Sequence, residues 1–263
     1  MSGECEAVDT ACCAYCGTAE IDDIKLVPCD DCDLVRYCSD ECLREHKSQH
    51  EEACKKRAAE LRDERLFKQP EGSHNGECPI CSLPLSLDRK NSNMWSCCSK
   101  VICNGCNYAN KMREIELRLE QRCPFCRKAL PDTKEEADEL RKKRIEANDP
   151  FAMCSEGMEQ RERGDYIRAF EYFTKAAELG DAQAHSQLAN MYLQEHGVEK
   201  DTGKYIHHLE EAAIGGHPSA RYALGICEYY GGDEERAVKH FIIAAALGLD
   251  ASIKKLMEGF KEG

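Results

Sequence analysis

Cysteine is the residue whose number and spacing point most directly to chemistry in this chain. The 263 residues include 19 cysteines, and 17 of these precede residue 127. Most stand in pairs separated by two or three residues, a spacing at which two side chains reach one tetrahedral zinc ion. Thiols of intracellular proteins stay reduced and bind metal rather than forming disulfides. We therefore predict zinc sites in the first half of the chain.

A secreted, disulfide-linked protein is the alternative explanation for so many cysteines. Such a chain opens with a basic patch and an apolar run, and residues 1–10 (MSGECEAVDT) have neither. The longest apolar run, residues 241–247, is far shorter than the ~20 residues of a membrane span. We expect an intracellular protein of the cytoplasm or nucleus with no membrane segment.

The first cysteine cluster lies within residues 13–54 and contains four ligand pairs, enough for two zinc ions. The pairs are Cys13/Cys16, Cys29/Cys32, Cys38/Cys42 and His50/Cys54. Two intervening residues suit a tight turn, and three place both ligands on one helix face. Cys12 and His46 are rival ligands, since the first neighbours Cys13 and the second lies one turn before His50.

This segment resembles the MYND zinc finger over its whole length, including Tyr37 just before Cys38. The resemblance implies interleaved sites and favours Cys13 and His50 over their rivals. One zinc would be bound by Cys13, Cys16, Cys38 and Cys42, and the other by Cys29, Cys32, His50 and Cys54. MYND fingers dock short proline-containing peptides, but the Gln and Trp usual after the sixth ligand are Leu43 and Lys47 here. That departure weakens the expectation of the usual peptide ligand.

The second cluster resembles a RING finger, a cross-braced two-zinc domain, across residues 77–128. The resemblance implies one site of Cys78, Cys81, Cys103 and Cys106 and a second site of Cys97, Cys98, Cys123 and Cys126. Cys97 and Cys98 depart from the family because they are adjacent, and Lys100 stands where a His is usual. Adjacent cysteines share a zinc only if the backbone bends between them; alternatively, one of the two is idle.

RING domains with ligase activity bind a ubiquitin-charged conjugating enzyme and form no covalent intermediate, so no catalytic residue is expected in this chain. Three residues match that subset: Ile80 between the first ligands, Pro124 in the last zinc loop, and Arg127 after the last ligand. Residues 108–122 are predicted to form the central helix, with Met112, Ile115 and Leu119 on one face. Alternatively, the domain is purely structural.

The last part of the chain repeats itself. AAELG at 176–180, AAIGG at 212–216 and AAALG at 244–248 are offset by about one helix pair, which predicts a helical solenoid. The units resemble Sel-one-like repeats, relatives of tetratricopeptide repeats, and residues 250–261 would form a capping helix. The matching positions of the middle unit are Ala184, Leu188, Tyr192, Gly197, Val198, Asp201, Ala212, Ala213 and Gly216. Such arrays bind proteins and carry no chemistry of their own.

Several residues of the repeats permit two interpretations. Tyr192, Tyr222 and Tyr229 could line a groove, although aromatic residues at helical spacing usually belong to the core. The remaining candidates for chemistry are expected to be structural, because no partner at metal-ligand spacing accompanies them: His207, His208, Cys154 and Cys227.

Cysteine density and linker composition together predict a multidomain protein: two small cross-braced zinc-binding domains followed by an all-α helical-repeat solenoid. The segments are a MYND-type finger at 13–54, a charged helix and linker at 55–76, a RING-type finger at 77–128, a charged helical linker at 131–149, and repeats at 151–263. The basic cluster at 141–144 is either a nuclear-localisation signal or, as we favour, a solvated helix face paired with nearby glutamates.

Charge restricts the partners. The formal net charge is −13, and four zinc ions held by 15 thiolates would take it to about −20. Phosphate backbones repel such a chain, so nucleic acid is not an expected partner. We predict a zinc-binding RING-type ubiquitin ligase that recruits a conjugating enzyme through the RING and substrates through the other modules. The alternative is a non-enzymatic scaffold for protein–protein interaction.

Overall fold

A computed structural model describes residues 11–262, in which the residues up to Lys68 form one unit and those from Gln69 form another. In the first unit, β1 (Val27–Pro28) pairs with β2 (Arg36–Tyr37) in an antiparallel hairpin. The buried cluster beside it consists largely of metal-ligand cysteines, with Leu26 and Tyr37. This unit therefore has a very small apolar core, and metal ligation has to supply much of its stability.

Helix α1 (Asp40–Phe67) completes the first unit. It begins where the Ser39 side chain accepts a hydrogen bond from the Cys42 N–H, with acidic residues in the first turn, as helix starts favour. No Gly or Pro occurs within it, so the charged run after Cys54 continues the helix that carries the last three ligands, Cys42, His50 and Cys54. The segment boundary expected at residue 55 thus falls inside one continuous helix.

The second cysteine cluster is built on a hairpin and a helix. After a short 3₁₀ turn (Arg89–Asn91), β3 (Ser92–Trp95) pairs antiparallel with β4 (Lys100–Cys103), and α2 (Asn104–Glu116) follows directly. Its core contains Cys78, Leu85 and Ile102, against which Trp95 and Phe125 pack. We call the segment from residue 77 to residue 128 the second cysteine module.

The predicted central helix was misplaced. The sulfur of Cys103 accepts the Cys106 N–H and starts α2 at Asn104, four residues before the predicted start, and the helix ends before Leu119. Ile115 and Leu119 are 54% and 51% exposed, whereas Glu114 is buried. The spacing of the apolar residues predicted a buried helix face. The small core of this module is filled by cysteines and the β-hairpin, so the face that carries Ile115 stays uncovered.

The prediction of a helical solenoid after two cysteine-rich segments is confirmed. Beyond α3, three helix pairs stack in chain order, and a final helix packs on the last pair. The helices are α3 (Lys134–Glu146), α4 (Pro150–Glu162), α5 (Tyr166–Glu178), α6 (Ala182–Gln194), α7 (Thr202–Ile214), α8 (Pro218–Gly231), α9 (Glu234–Ala246) and α10 (Asp250–Glu262). Within the described residues, no helix has both the length and the apolar composition that crossing a membrane requires.

The same local devices recur from pair to pair. Asp side chains cap the N-termini of α4, α5, α6, α7 and α9, whereas α8 is capped by His217, whose Nδ1 accepts the Ala220 N–H at 3.2 Å. Gly180, Gly216 and Gly248 follow the second helix of each pair with φ between +77° and +90°, a left-handed conformation that favours glycine. The helices of the three pairs therefore begin and end at nearly the same types of residue.

The basic cluster at 141–144 pairs differently from the expectation. Arg141 bonds to Glu156 and Glu159 of α4 as well as to Asp138 of its own helix. Arg144 bonds to Asp149 at 2.7 Å. These contacts fasten α3 to the start of the repeats, so the cluster is partly interhelical rather than a solvated face.

The candidate aromatic and isolated residues of the repeats have mixed environments. Tyr192 is buried, Tyr222 packs against Phe241, and Tyr229 is 41% exposed. Cys154 belongs to the core of the first pair, where burial raises the pKa of its thiol. Burial raises the pKa of the Cys227 thiol. The Nδ1 atoms of His185 and His208 lie 3.0 Å apart.

Candidate metal centres

Four of the five CxxC segments are closed by the same backbone hydrogen bond, and the fifth, Cys103/Cys106, begins helix α2. In those four, the residue four positions after the first cysteine has positive φ and donates its N–H to that cysteine's carbonyl, at 2.8–3.1 Å. These residues are Gly17, Asp33, Ser82 and Arg127. The bond folds the turn so that both sulfurs face the same point, which is the local basis of each metal centre.

The first centre comprises Cys13, Cys16, Cys38 and Cys42. The Sγ atoms of Cys16 and Cys38 lie 3.5 Å apart, and those of Cys38 and Cys42 lie 3.6 Å apart. Zinc–sulfur bonds of about 2.3 Å in a tetrahedron place ligands roughly 3.8 Å apart, so the spacing fits. A hydrogen bond from Thr18 lowers the pKa of Cys16 to about 6, which favours the thiolate that binds metal.

The second centre comprises Cys29, Cys32, His50 and Cys54. The Nε2 atom of His50 lies 3.1 Å from Cys32 Sγ, and the sulfurs of Cys29 and Cys54 are 3.7 Å apart. The rival His46 lies outside this quartet, because its Nδ1 bonds to the Tyr37 hydroxyl at 3.1 Å. The hydroxyl of the tyrosine that precedes Cys38 therefore holds His46 away from the quartet.

Cys12, the rival of Cys13, also lies outside the quartets. Its backbone pairs with Ala19, while that of Cys13 pairs with Arg36 and leads its sulfur to the first centre. The two quartets alternate along the chain, so each centre ties one CxxC turn to helix α1, the first through Cys42 and the second through His50 and Cys54. This interleaving supports a segment that could not bury a core of its own.

The third centre comprises Cys78, Cys81, Cys103 and Cys106. Cys81 and Cys103 have sulfurs 3.9 Å apart, joining the loop before the hairpin to the start of α2. Burial raises the pKa of Cys78, but backbone hydrogen bonds at Cys103, Cys81 and Ile80 outweigh it and hold the pKa at about 6. The thiolate needed for ligation is thus stabilised by the backbone.

The fourth centre contains both adjacent cysteines. Cys97 Sγ lies 3.4 Å from Cys126, and Cys98 Sγ lies 3.6 Å from Cys123. The backbone bends at the hairpin turn, where Ser99 has φ +54° and its N–H bonds to Trp95 O at 2.8 Å. Burial raises the pKa of Cys97 and Cys98, so a bound cation would have to offset that cost.

The sixteen side chains that the sequence predicts as metal ligands lie together in four quartets in the structure. Within each quartet, the candidate ligand atoms lie within 4.8 Å of one another. Fifteen thiols and one imidazole form donor sets that suit zinc, since thiolate and imidazole are its usual structural ligands. Closed quartets leave no open position for catalysis by a metal-bound water, so the zinc would be structural. Sequence reasoning missed Arg89 and Met94, which join the second cysteine module to the repeats, and His74, which contacts the repeats just before the module. Nothing in their spacing marks them.

Comparison with known proteins identifies two of the modules. The MYND finger family matches residues 13–54, and the Sel1 repeat family matches residues 152–181, 182–217 and 218–249. An uncharacterized protein of Neisseria meningitidis is 37% identical over 93 residues. That match covers 34% of this chain and 20% of the relative, so the chain spans about one fifth of the length of the curated relative.

Solved structures that are similar to the chain include three proteins of bacterial origin. A Sel1 repeat protein from Oxalobacter formigenes has 27% identity over 48% of this chain and 55% of its own, with a TM-score of 0.44. A protective antigen of uropathogenic Escherichia coli displaying an SLR fold has 23% identity over 57% and 35%, with a TM-score of 0.43. Cysteine rich protein B of Helicobacter pylori has 25% identity over 46% and 92%, with a TM-score of 0.38. On the family matches, this chain carries an N-terminal MYND zinc finger and three C-terminal Sel1 repeats.

Proposed function

We propose that the chain is a RING-type ubiquitin ligase whose second cysteine module binds a ubiquitin-conjugating enzyme. The MYND finger and the Sel1 repeats would bind the protein to be modified. The observation that carries this proposal is the interleaving of the third and fourth quartets, in the ligand order of a RING, with Ile80 and Arg127 exposed on the zinc loops.

The exposed apolar side chains of the module support a docking role. Ile80 and Leu83 are 47% and 63% exposed in or beside the first zinc loop. On α2 and just after it, Tyr108, Ile115 and Leu119 are each more than half exposed. A small domain that leaves this much apolar surface in water is suited to bind a protein partner.

Arg127 is suited to contact two partners at once. Its N–H bonds to Cys123 O at 3.1 Å, and its own carbonyl accepts from the Arg122 guanidinium at 3.5 Å, so its backbone is tethered while its side chain is exposed. A guanidinium presents several donors in a planar fork and can bridge carbonyls of a conjugating enzyme and of ubiquitin. The contribution to rate would come from holding the thioester in a reactive orientation.

An in vitro ubiquitination assay tests the proposal. With activating enzyme, ubiquitin, ATP and a panel of conjugating enzymes, the zinc-loaded full chain should form ubiquitin conjugates. Ile80→Ala and Arg127→Ala should each reduce conjugate formation about tenfold or more. Matched controls are Val238→Ala, an exposed aliphatic residue of the repeats, and Lys90→Ala, an exposed basic residue of the same module. Conjugates that are equally abundant in all variants, or absent with every conjugating enzyme, contradict the proposal.

A non-enzymatic scaffold is the second candidate. It is favoured by the family matches, which cover the MYND finger and the repeats and leave the second cysteine module unmatched. Both matched modules are of kinds that dock proteins. Under this alternative, Ile80→Ala and Arg127→Ala have no effect on partner binding, and no conjugating enzyme binds the chain at micromolar concentration.

A further inference from the structure

The segment before the second cysteine module runs along the repeats. The N–H of His74 donates to Gly216 O at 2.9 Å, and the His74 ring stacks on the His217 ring with centroids 4.2 Å apart. The approach at Gly216 is close: a Cβ built there would lie 2.6 Å from Gly72 O and 3.4 Å from His74 N. Residues 72–75, which we call the strap, are therefore seated on the turn between α7 and α8.

The module itself contacts earlier parts of the array. Arg89 donates to the sulfur of Met158 on α4 at 2.9 Å, and Ser155 on α4 lies 3.8 Å from Met94 of β3. Ser99, at the turn of the module's hairpin, lines a common cleft with Phe151 and Cys154 of α4. The start of α6 faces the strap, since His74 and Gln183 line the same cleft. Strap and module thus contact all three helix pairs.

In a helical solenoid, each repeat ordinarily contacts only its neighbours, so the angle between repeats is set by one interface at a time. An element that contacts three pairs at once adds a restraint that neighbour contacts do not supply. A cleft of about 750 Å³ lies between the module and the array, so the docking depends on a few separate contacts rather than on continuous packing. Loss of one of these contacts should then speed amide hydrogen exchange at the contact by a measurable amount.

We propose that the edge of the array formed by α4 and by the α5–α6 and α7–α8 turns is a docking surface whose partner is the chain's own strap and second cysteine module. The docked module braces the three helix pairs at fixed angles. A protein bound by the repeats therefore meets an array whose shape depends on zinc in the third and fourth centres. This brace is independent of ubiquitin transfer and holds equally for a scaffold.

Hydrogen–deuterium exchange of the zinc-loaded full chain tests the contact at the strap. Gly216→Ala places a methyl group against Gly72, whereas Gly180→Ala and Gly248→Ala impose similar positive-φ strain with nothing within 4 Å. Exchange of the His74 amide should be at least tenfold faster in Gly216→Ala and unchanged in both controls. Equal His74 exchange in Gly216→Ala and Gly248→Ala overturns the docking surface.

Two further measurements keep the proposal falsifiable if Gly216→Ala folds poorly. His74→Ala removes the stacked ring and should also speed exchange in peptides covering the strap, while His207→Ala, an exposed histidine of α7, should not. Removing zinc from the wild-type chain with a chelator should raise exchange several-fold in the first turns of α6 and α8. Unchanged exchange there after chelation means that the module does not brace the repeats, and the proposal fails.

Discussion

The sulfur of Cys98 lies 3.6 Å from that of Cys123, while its neighbour Cys97 lies 3.4 Å from Cys126. Two consecutive residues thus reach the same centre from the turn of one hairpin. We expect both to bind zinc, so that Cys98→Ala lowers the zinc content from four ions per chain to about three, because a three-thiolate site binds weakly. Cys227→Ala, outside the quartets, is the control.

Elemental analysis of the purified variants measures that difference. If Cys98→Ala retains four zinc ions with unchanged resistance to a chelator, then Cys98 is idle and the fourth centre has three cysteine ligands. A wild-type content of two would instead contradict ligation by the third and fourth quartets altogether.

At two glycines inside helices, any larger side chain is predicted to collide with a packed phenylalanine ring. A Cβ at Gly157 would lie 2.7 Å from the Phe173 ring, and one at Gly225 would lie 2.6 Å from the Phe241 ring. Gly157→Ala and Gly225→Ala should each lower the free energy of unfolding by about 1–3 kcal/mol, since overpacking outweighs the helix propensity of alanine. Gly231→Ala, with nothing within 4 Å, should not destabilise. Denaturant titrations followed by circular dichroism provide the comparison.

The stacked pair of histidines predicts acid sensitivity. Burial and the neighbouring His74 and Arg89 lower the pKa of His217 to about 3. The charge of Arg89 also acts on the Asp181 carboxylate. A histidine whose pKa is lower in the folded than in the unfolded chain stabilises the fold fully at pH values above its unfolded-state pKa, near 6.5. That stabilisation is lost as the pH falls toward the folded-state pKa of about 3. Its contribution should decline by about 2 kcal/mol between pH 8 and pH 5.

His217→Asn isolates that contribution, since asparagine can cap α8 but does not titrate. The difference in unfolding free energy between wild type and variant should shrink as the pH falls, with the zinc content of both verified at each pH. A difference that is constant from pH 8 to pH 5 would show that protonation of His217 is not coupled to folding.

The ion pairs of Arg141 are predicted to fasten α3 to the repeats. Its side chain is 18% exposed and bonds to Asp138, Glu156 and Glu159. Arg141→Ala should destabilise the chain by about 1–3 kcal/mol because Asp138 and Glu156 lose their cationic partner, and α3 amides should exchange faster. Lys142→Ala, which removes an exposed pair with Glu139, should leave both measurements unchanged.

Sequence alone identified the sixteen side chains that the structure gathers into four quartets, and the number of helix pairs. Ligand spacing is local, so Cys13/Cys16 or Cys123/Cys126 can be paired without knowing the fold, and family resemblance supplied the interleaving. The repeated AAxxG segments likewise placed the ends of α5, α7 and α9, because a helix that ends in a left-handed glycine carries its own stop signal.

Tertiary structure alone decided which surfaces are covered. The periodicity around Ile115 predicted a buried face, yet the small cysteine-filled core left that residue in water and buried Glu114 instead. Likewise, His74 and His217 are 143 positions apart in the chain, and no local pattern signals that one ring will stack on the other. Contacts of this kind depend on how whole elements pack, which spacing between neighbouring residues does not encode.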